Sequence, residues 1–157
     1  MAKTHDYILG INAYDHDVSA CLLRDGAIAV AVEKERITRQ KHAGGFFQEC
    51  VDYCLKAEGI TLDDVDLVVR NCYVLPVEEL EVRMVYQGDM LEREREQTAK
   101  SPLYLPKSNK VMTVSHHLAH AYSAFAPSPF EEGVVMVVDG VGSYAADIKE
   151  PGQLTEG

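Results

Sequence analysis

The chain has no uninterrupted apolar run approaching the ~18 residues of a membrane span, and its first residues, MAKTHDYILGINAYDH, lack the sustained apolar stretch of a signal peptide. Both absences predict a cytoplasmic protein with no membrane partner. Basic residues are scarce: fifteen Lys and Arg stand against twenty-five Asp and Glu, for a formal net charge of -10. That deficit argues against the electropositive footprint by which proteins hold nucleic acid or anionic lipid, and favours a small polar substrate. Cysteine is sparse as well. Cys21, Cys50, Cys54 and Cys72 match no zinc-binding spacing, and cytosolic proteins rarely keep disulfides, so all are expected reduced. Cys50 and Cys54 share a helical stripe with Phe47, Val51 and Leu55, which makes them core residues rather than catalysts. Internal repeats and low-complexity segments are missing too.

What is present is the composition of one globular domain, 46% hydrophobic and 25% charged, with enough apolar residues to bury a core. Tyr7 to Asn12 (YILGIN) reads as a short apolar strand. Ser19 to Leu23 and Ala27 to Val32 read as two more, joined at Asp25-Gly26, a strong hairpin signal. After a polar stretch, GGFFQECVDYCLKAEG has the pattern of an amphipathic helix ending at Gly59. Thr61 then precedes DDVDLVVRN, a short turn or helix leading into a strand at Leu67 to Arg70. From Pro76 to about Thr98 the charged sequence predicts one or two surface helices, so residues 74–108 form an insertion or lid. A strand at Val111 to Val114, a helix beginning near Ser115 and a strand at Val134 to Val138 complete a mixed α/β pattern.

Three short regions hold residues suited to chemistry. In HHLAH, His116 and His120 lie four apart, so on a helix their imidazoles project from one face ~6 Å from each other, a metal-ligand spacing. The alternative is a surface or hydrogen-bonded pair. A helix from His116 to Phe125 runs ~14 Å, and an antiparallel strand from Val134 to Asp139 returns over ~17 Å, which brings Asp139 level with His116. Two imidazoles and a carboxylate with open positions suit Fe(II), with Mn or Zn as other options. Otherwise Asp139 is the polar end of a buried strand. Gly140 and Gly142, in the DGVG turn, permit close backbone approach to a phosphate. In NAYDHDVSA, His16 stands between Asp15 and Asp17, carboxylates able to adjust its basicity for general-base work; the alternative is a solvated turn. The segment EKERITRQKH ends in Lys41 and His42, and a lysine there could reach an anionic ligand.

Taken together, GINAYDHDVSACLLRDGAIAVAVEKERITRQKHAGGF, CLKAEGITLDDVDLVV, VSHHLAHAYSAF and VVMVVDGVG resemble the carbamoyltransferases that modify nodulation factors, cephalosporins and aminoglycosides. The resemblance implies the first lobe of the actin, hexokinase and Hsp70-like fold, in the version shared with the tRNA threonylcarbamoyl-transfer proteins: a mixed sheet with flanking helices. It implies an O-carbamoyltransferase that uses carbamoyl phosphate and ATP, made into carbamoyl adenylate by a separate YrdC-like domain, and passes the carbamoyl group to an acceptor hydroxyl. By position, His16 would be the base, Asp15 and Lys41 would line the substrate pocket, and Gly140 and Gly142 would face the nucleotide phosphate. His116, His120 and Asp139 would hold a divalent metal. Ser143 departs from the family pattern, which continues the DGxG motif with an acidic residue. The family also uses a second lobe and the YrdC-like domain, which these 157 residues do not contain. The chain is therefore expected to be a fragment, to work with a second-lobe or YrdC-like subunit, to form a homo-oligomer, or to act as a non-catalytic binding or regulatory module. A sugar-kinase-like ATPase lobe is a further alternative, disfavoured by the paired histidines.

Overall fold

The computed structural model describes residues 4–13, 16–71 and 110–140. Strands β1 (Tyr7–Asn12), β2 (Ser19–Arg24) and β3 (Ala27–Glu33) come first, then helices α1 (Lys34–Thr38) and α2 (Gln48–Glu58). A 3-10 turn at Leu62–Asp64 leads to β4 (Leu67–Arg70); β5 (Val111–Thr113) and α3 (His116–Phe125) follow. The strands form one sheet in the order β3-β2-β1-β4-β5. The β1–β2 and β2–β3 pairs are antiparallel, whereas β1–β4 and β4–β5 are parallel.

Local chemistry accounts for these elements. Arg24 pairs with Ala27 across the Asp25-Gly26 turn, and both turn residues adopt positive φ, 51° and 81°. A two-residue hairpin loop needs that conformation to match strand twist, and Asp and Gly tolerate it best. Helix α2 ends on Gly59, whose φ of 66° lets its N–H reach the Leu55 and Lys56 carbonyls. The 3-10 turn is capped reciprocally by Thr61 and Asp64. Alternation along β1 buries Tyr7, Leu9 and Ile11, and along β2 it buries Ala20 and Leu22. Phe46, Phe47, Cys50, Val51 and Cys54 pack with these residues in one cluster, completed by Val18, Val65 and Val68. Each fully buried Leu, Val or Phe in it stabilises the fold by roughly 1.5–3 kcal/mol.

Three expectations need correction or placement. Val134 to Val138 is not a strand: it pairs with none of the described strands, and Val134 is 99% exposed. An apolar, β-branched run favours extended backbone, but a strand exists only where a neighbour accepts its ladder. The polar stretch after β3 contains α1, a single turn closed by Arg39 in the left-handed region. Residues 74–108, expected as a helical insertion, lie outside the described residues, as do Cys72, Asp15, Gly142 and Ser143.

Candidate functional site

Two clusters of polar side chains follow the C-terminal ends of strands that run parallel to one another. One grows from the end of β1, the other from the end of β5, and β4 lies between them in the sheet. Ligands of open α/β sheets characteristically bind beyond the carboxyl ends of such strands, where loops are free to vary over a rigid base. The base is tied together here: Asn71, just after β4, donates to Asn12 Oδ1 at 2.6 Å, and Asn12 Nδ2 donates to the Asp17 carbonyl at 2.9 Å. Buried Arg70 donates through Nε to Thr113 Oγ1 at 3.0 Å, joining β4 to β5.

The β5 cluster is built on α3. Val114 N–H continues the parallel ladder to the Arg70 carbonyl, and the Ser115 hydroxyl then accepts from the Leu118 N–H, starting the helix. His116 and His120 consequently sit one turn apart on the same face, their ring centroids separated by 4.6 Å. The 133–139 segment returns along α3 and sets Asp139 against both rings. His116 Nε2 lies 2.7 Å from Asp139 Oδ2, and His120 Nε2 lies 3.3 Å from the same oxygen. The two Nε2 atoms are 3.1 Å apart. Asp139 is held ionised, its carboxyl lowered below the ordinary value by the His116 hydrogen bond and then by the Gly140 N–H.

This donor set fits a divalent cation. Three ligand atoms lie within 4.8 Å of one another. Facing the ionised Asp139, an imidazole Nε2 presents N–H; with that proton lost, both Nε2 atoms would offer lone pairs to one point beside the carboxylate, as ligation of a cation requires. Two nitrogens and one carboxylate oxygen leave coordination positions open, the arrangement of non-haem Fe(II) sites. A groove of about 360 Å³ opens beside the cluster, bounded by His120, Ser123, Met136, Val138 and Asp139. The sequence expectation that Asp139 returns level with His116 describes the geometry, although irregular chain rather than a strand brings it there. Gly140 uses its N–H on Asp139 Oδ1, at 2.7 Å, and a Cβ built on it would meet open space.

In the β1 cluster, His16 Nδ1 lies 2.9 Å from Asp17 Oδ2. Asp17 Oδ1 lies 2.9 Å from His42 Nδ1, a contact the residue order did not suggest. Its only signal was the pairing of Lys41 with His42 at the end of a charged segment. The Asp17 carboxyl is pulled below its ordinary value by the hydrogen bonds from His42 and His16, in that order. Lys41 is exposed beside His42. Asp15, the other carboxylate flanking His16, lies outside the described residues.

Both clusters fall within the residues matched by one protein family. The family described as carbamoyltransferase N-terminus matches residues 7–105 and, in an overlapping second segment, residues 78–153. The chain belongs to this carbamoyltransferase N-terminal family. Nodulation protein NolNO of Sinorhizobium fredii is 32% identical over 99% of the chain and 24% of its own length. An uncharacterised protein of Synechocystis sp. is 35% identical over 94% of the chain and 27% of its own length. Another from Methanocaldococcus jannaschii is 30% identical over 94% of the chain and 25% of its own length. The chain thus spans about a quarter of the length of these relatives. Among the described residues, no helix is long and apolar enough to cross a membrane.

Proposed function

We propose that the chain is the acceptor-side lobe of an O-carbamoyltransferase, with the actin, hexokinase and Hsp70-like fold and with carbamoyl adenylate as donor. The observation that carries this reading is the placement of a base candidate and a metal-type donor set at the C-terminal ends of β1 and β5 within one family-matched sheet. The sheet's division into antiparallel strands on one side and parallel strands on the other accords with the proposed lobe. ATP and carbamoyl phosphate would be consumed in a YrdC-like domain to make the adenylate.

An alcohol is a poor nucleophile near neutral pH, and a positioned base that takes its proton during attack contributes roughly 10²- to 10⁴-fold. His16 would take that proton as the acceptor oxygen bonds to the carbamoyl carbon. The carbon–oxygen bond to the phosphate breaks, AMP leaves with the electron pair, and the proton passes from His16 to solvent. Lys41, with Asp15, would orient the substrate, and Gly140 with Gly142 would keep the backbone near the phosphate clear of side chains. His116, His120 and Asp139 would hold a divalent metal, Fe(II) with Mn or Zn as alternatives. Bound there, the cation would supply electrostatic stabilisation for charge on the departing phosphate.

The lobe would work with a second-lobe or YrdC-like partner or as a homo-oligomer. Support comes from α3, which has no buried residue, and from the adjoining Val134, Met136 and Val138, all exposed. Contiguous apolar surface of that kind usually marks an interface. The function is tested by combining the chain with its second lobe and supplying radiolabelled carbamoyl adenylate to a panel of polyhydroxyl acceptors. Label transfer to a hydroxyl that requires this chain is expected; adenylate hydrolysis alone, with every acceptor unlabelled, would contradict the reading.

A further inference from the structure

Asp17 and His42 stand on neighbouring loops, each with a side chain and each in the left-handed backbone region, at φ 53° and 55°. Residues bearing a Cβ avoid that region unless surrounding contacts hold them there, and such outliers gather at functional sites. The holding contacts are evident. The Asp17 carbonyl accepts from Asn12 Nδ2 at the end of β1, and the Val18 N–H donates to the Ala43 carbonyl at 3.1 Å. The His42 N–H donates to Glu35 Oε2 at 3.1 Å. Together they fix one carboxylate between two imidazoles, each Nδ1 at 2.9 Å from a different oxygen of Asp17.

We propose that Asp17 and His42 are positioning residues for His16: His42, clamped by Glu35, engages one oxygen of Asp17 so that the other fixes His16 as its Nδ1–H tautomer with Nε2 free. This role rests on the reading of His16 as the acceptor-side base. An ionised carboxylate accepts hydrogen bonds and donates none, so each ring facing it must present Nδ1–H. Nε2 is then the one basic atom of His16. When Nε2 takes the hydroxyl proton, Asp17 stays unprotonated and stabilises the imidazolium it faces. The orientation matters because the His16 side chain is 72% exposed and would otherwise rotate in solvent. Without His42, Asp17 could turn away from His16.

The ligand atoms of Asp17, Glu35 and His42 also lie within 4.8 Å of one another, a spacing compatible with a cation. A cation would need the lone pair of His42 Nδ1, the opposite protonation state. The two arrangements are therefore separable by one measurement.

The test uses the chain labelled with 15N-histidine and long-range proton–nitrogen correlation spectra at about pH 8, above the ordinary imidazole range. His16 and His42 are expected as Nδ1–H tautomers; Asp17→Ala should return both to the Nε2–H form that free imidazole side chains prefer. His42→Ala should weaken the preference at His16, and His42→Gln, which keeps a side-chain donor, should restore it. In the complete enzyme, His42→Ala should lower kcat for acceptor carbamoylation about tenfold, a fraction of what a positioned base supplies. The acceptor KM and the rate of carbamoyl adenylate formation should not move, and His42→Gln should recover most of the loss. A wild-type His16 in the Nε2–H form, or ligation of added Zn²⁺ by His42 Nδ1, would overturn the positioning role whatever the activity. Nδ1–H tautomers together with undiminished acceptor carbamoylation by His16→Asn would overturn the base reading, and with it the part played by the pair in catalysis.

Discussion

His116 and Asp139 are separated by twenty-three positions in the chain and by 2.7 Å between Nε2 and Oδ2. His120 reaches the same carboxylate oxygen at 3.3 Å. Three side chains that converge on one point from a helix and a returning segment can exchange their mutual hydrogen bonds for a shared cation. The purified chain should therefore bind Fe(II), Mn or Zn in a calorimetric titration. Replacing His116 and His120 together by Ala should weaken binding by more than ~100-fold, beyond the effect of losing an outer-shell partner. A titration unchanged by the double replacement would remove the assignment.

Asp25 links the β2–β3 turn to the start of the chain. Its Oδ1 accepts the Asp6 N–H at 3.0 Å, and its Oδ2 lies 2.6 Å from His5 Nδ1. The Asp6 hydrogen bond first, and His5 second, hold its carboxyl below the ordinary value of 3.8. A carboxyl whose value is lower in the folded state favours the fold when ionised. Its contribution is complete above the ordinary value and is lost as pH falls through the lowered folded one. Asp25→Asn, which keeps the turn's tolerance for positive φ, should flatten the acid side of the stability profile below about pH 4. Denaturant melts of both proteins across that window check this; parallel profiles would contradict it.

How far such features were readable in advance depends on their range. The Asp25-Gly26 hairpin and the Gly59 helix end are decided by a few adjacent residues, and both stand where the residue pattern puts them. The four-residue spacing of His116 and His120 is equally local, because helix geometry alone makes them neighbours. Val134 to Val138 misled because its residues favour a strand but only a pairing partner could make one. The bridge from Asp17 to His42 joins residues twenty-five apart through two unusual backbone conformations, which no local pattern encodes. The order β3-β2-β1-β4-β5 likewise depends on where β4 docks, a choice made by the whole core.

Cys50 and Cys54 lie fully buried on the inner face of α2, with thiols near the Val18 and Ala20 carbonyls. Burial pushes each up to about 11. Since the thiolate is the reactive form, neither should be alkylated in the folded chain near neutral pH. Iodoacetamide treatment followed by peptide mass mapping should find both unmodified until denaturant is added; rapid labelling of either in the native protein would contradict the packing.

The apolar surface along α3 and residues 134–138 predicts association. Sedimentation should show self-association or a complex with a second-lobe partner, and Met136→Glu with Val138→Glu should shift the equilibrium toward monomer. A monomer over a wide concentration range, with no partner captured, would contradict this.

In the proposed reaction His16 activates the acceptor hydroxyl, and one substitution separates this step from donor synthesis. His16→Asn keeps similar size and some hydrogen-bonding capacity while removing basicity. With the second lobe and YrdC-like domain present, both products are followed in one reaction. Acceptor carbamoylation should fall by roughly 10²- to 10⁴-fold while carbamoyl adenylate forms at the wild-type rate. Undiminished carbamoylation would show that His16 is only a turn residue, and equal loss of both products would make its role structural.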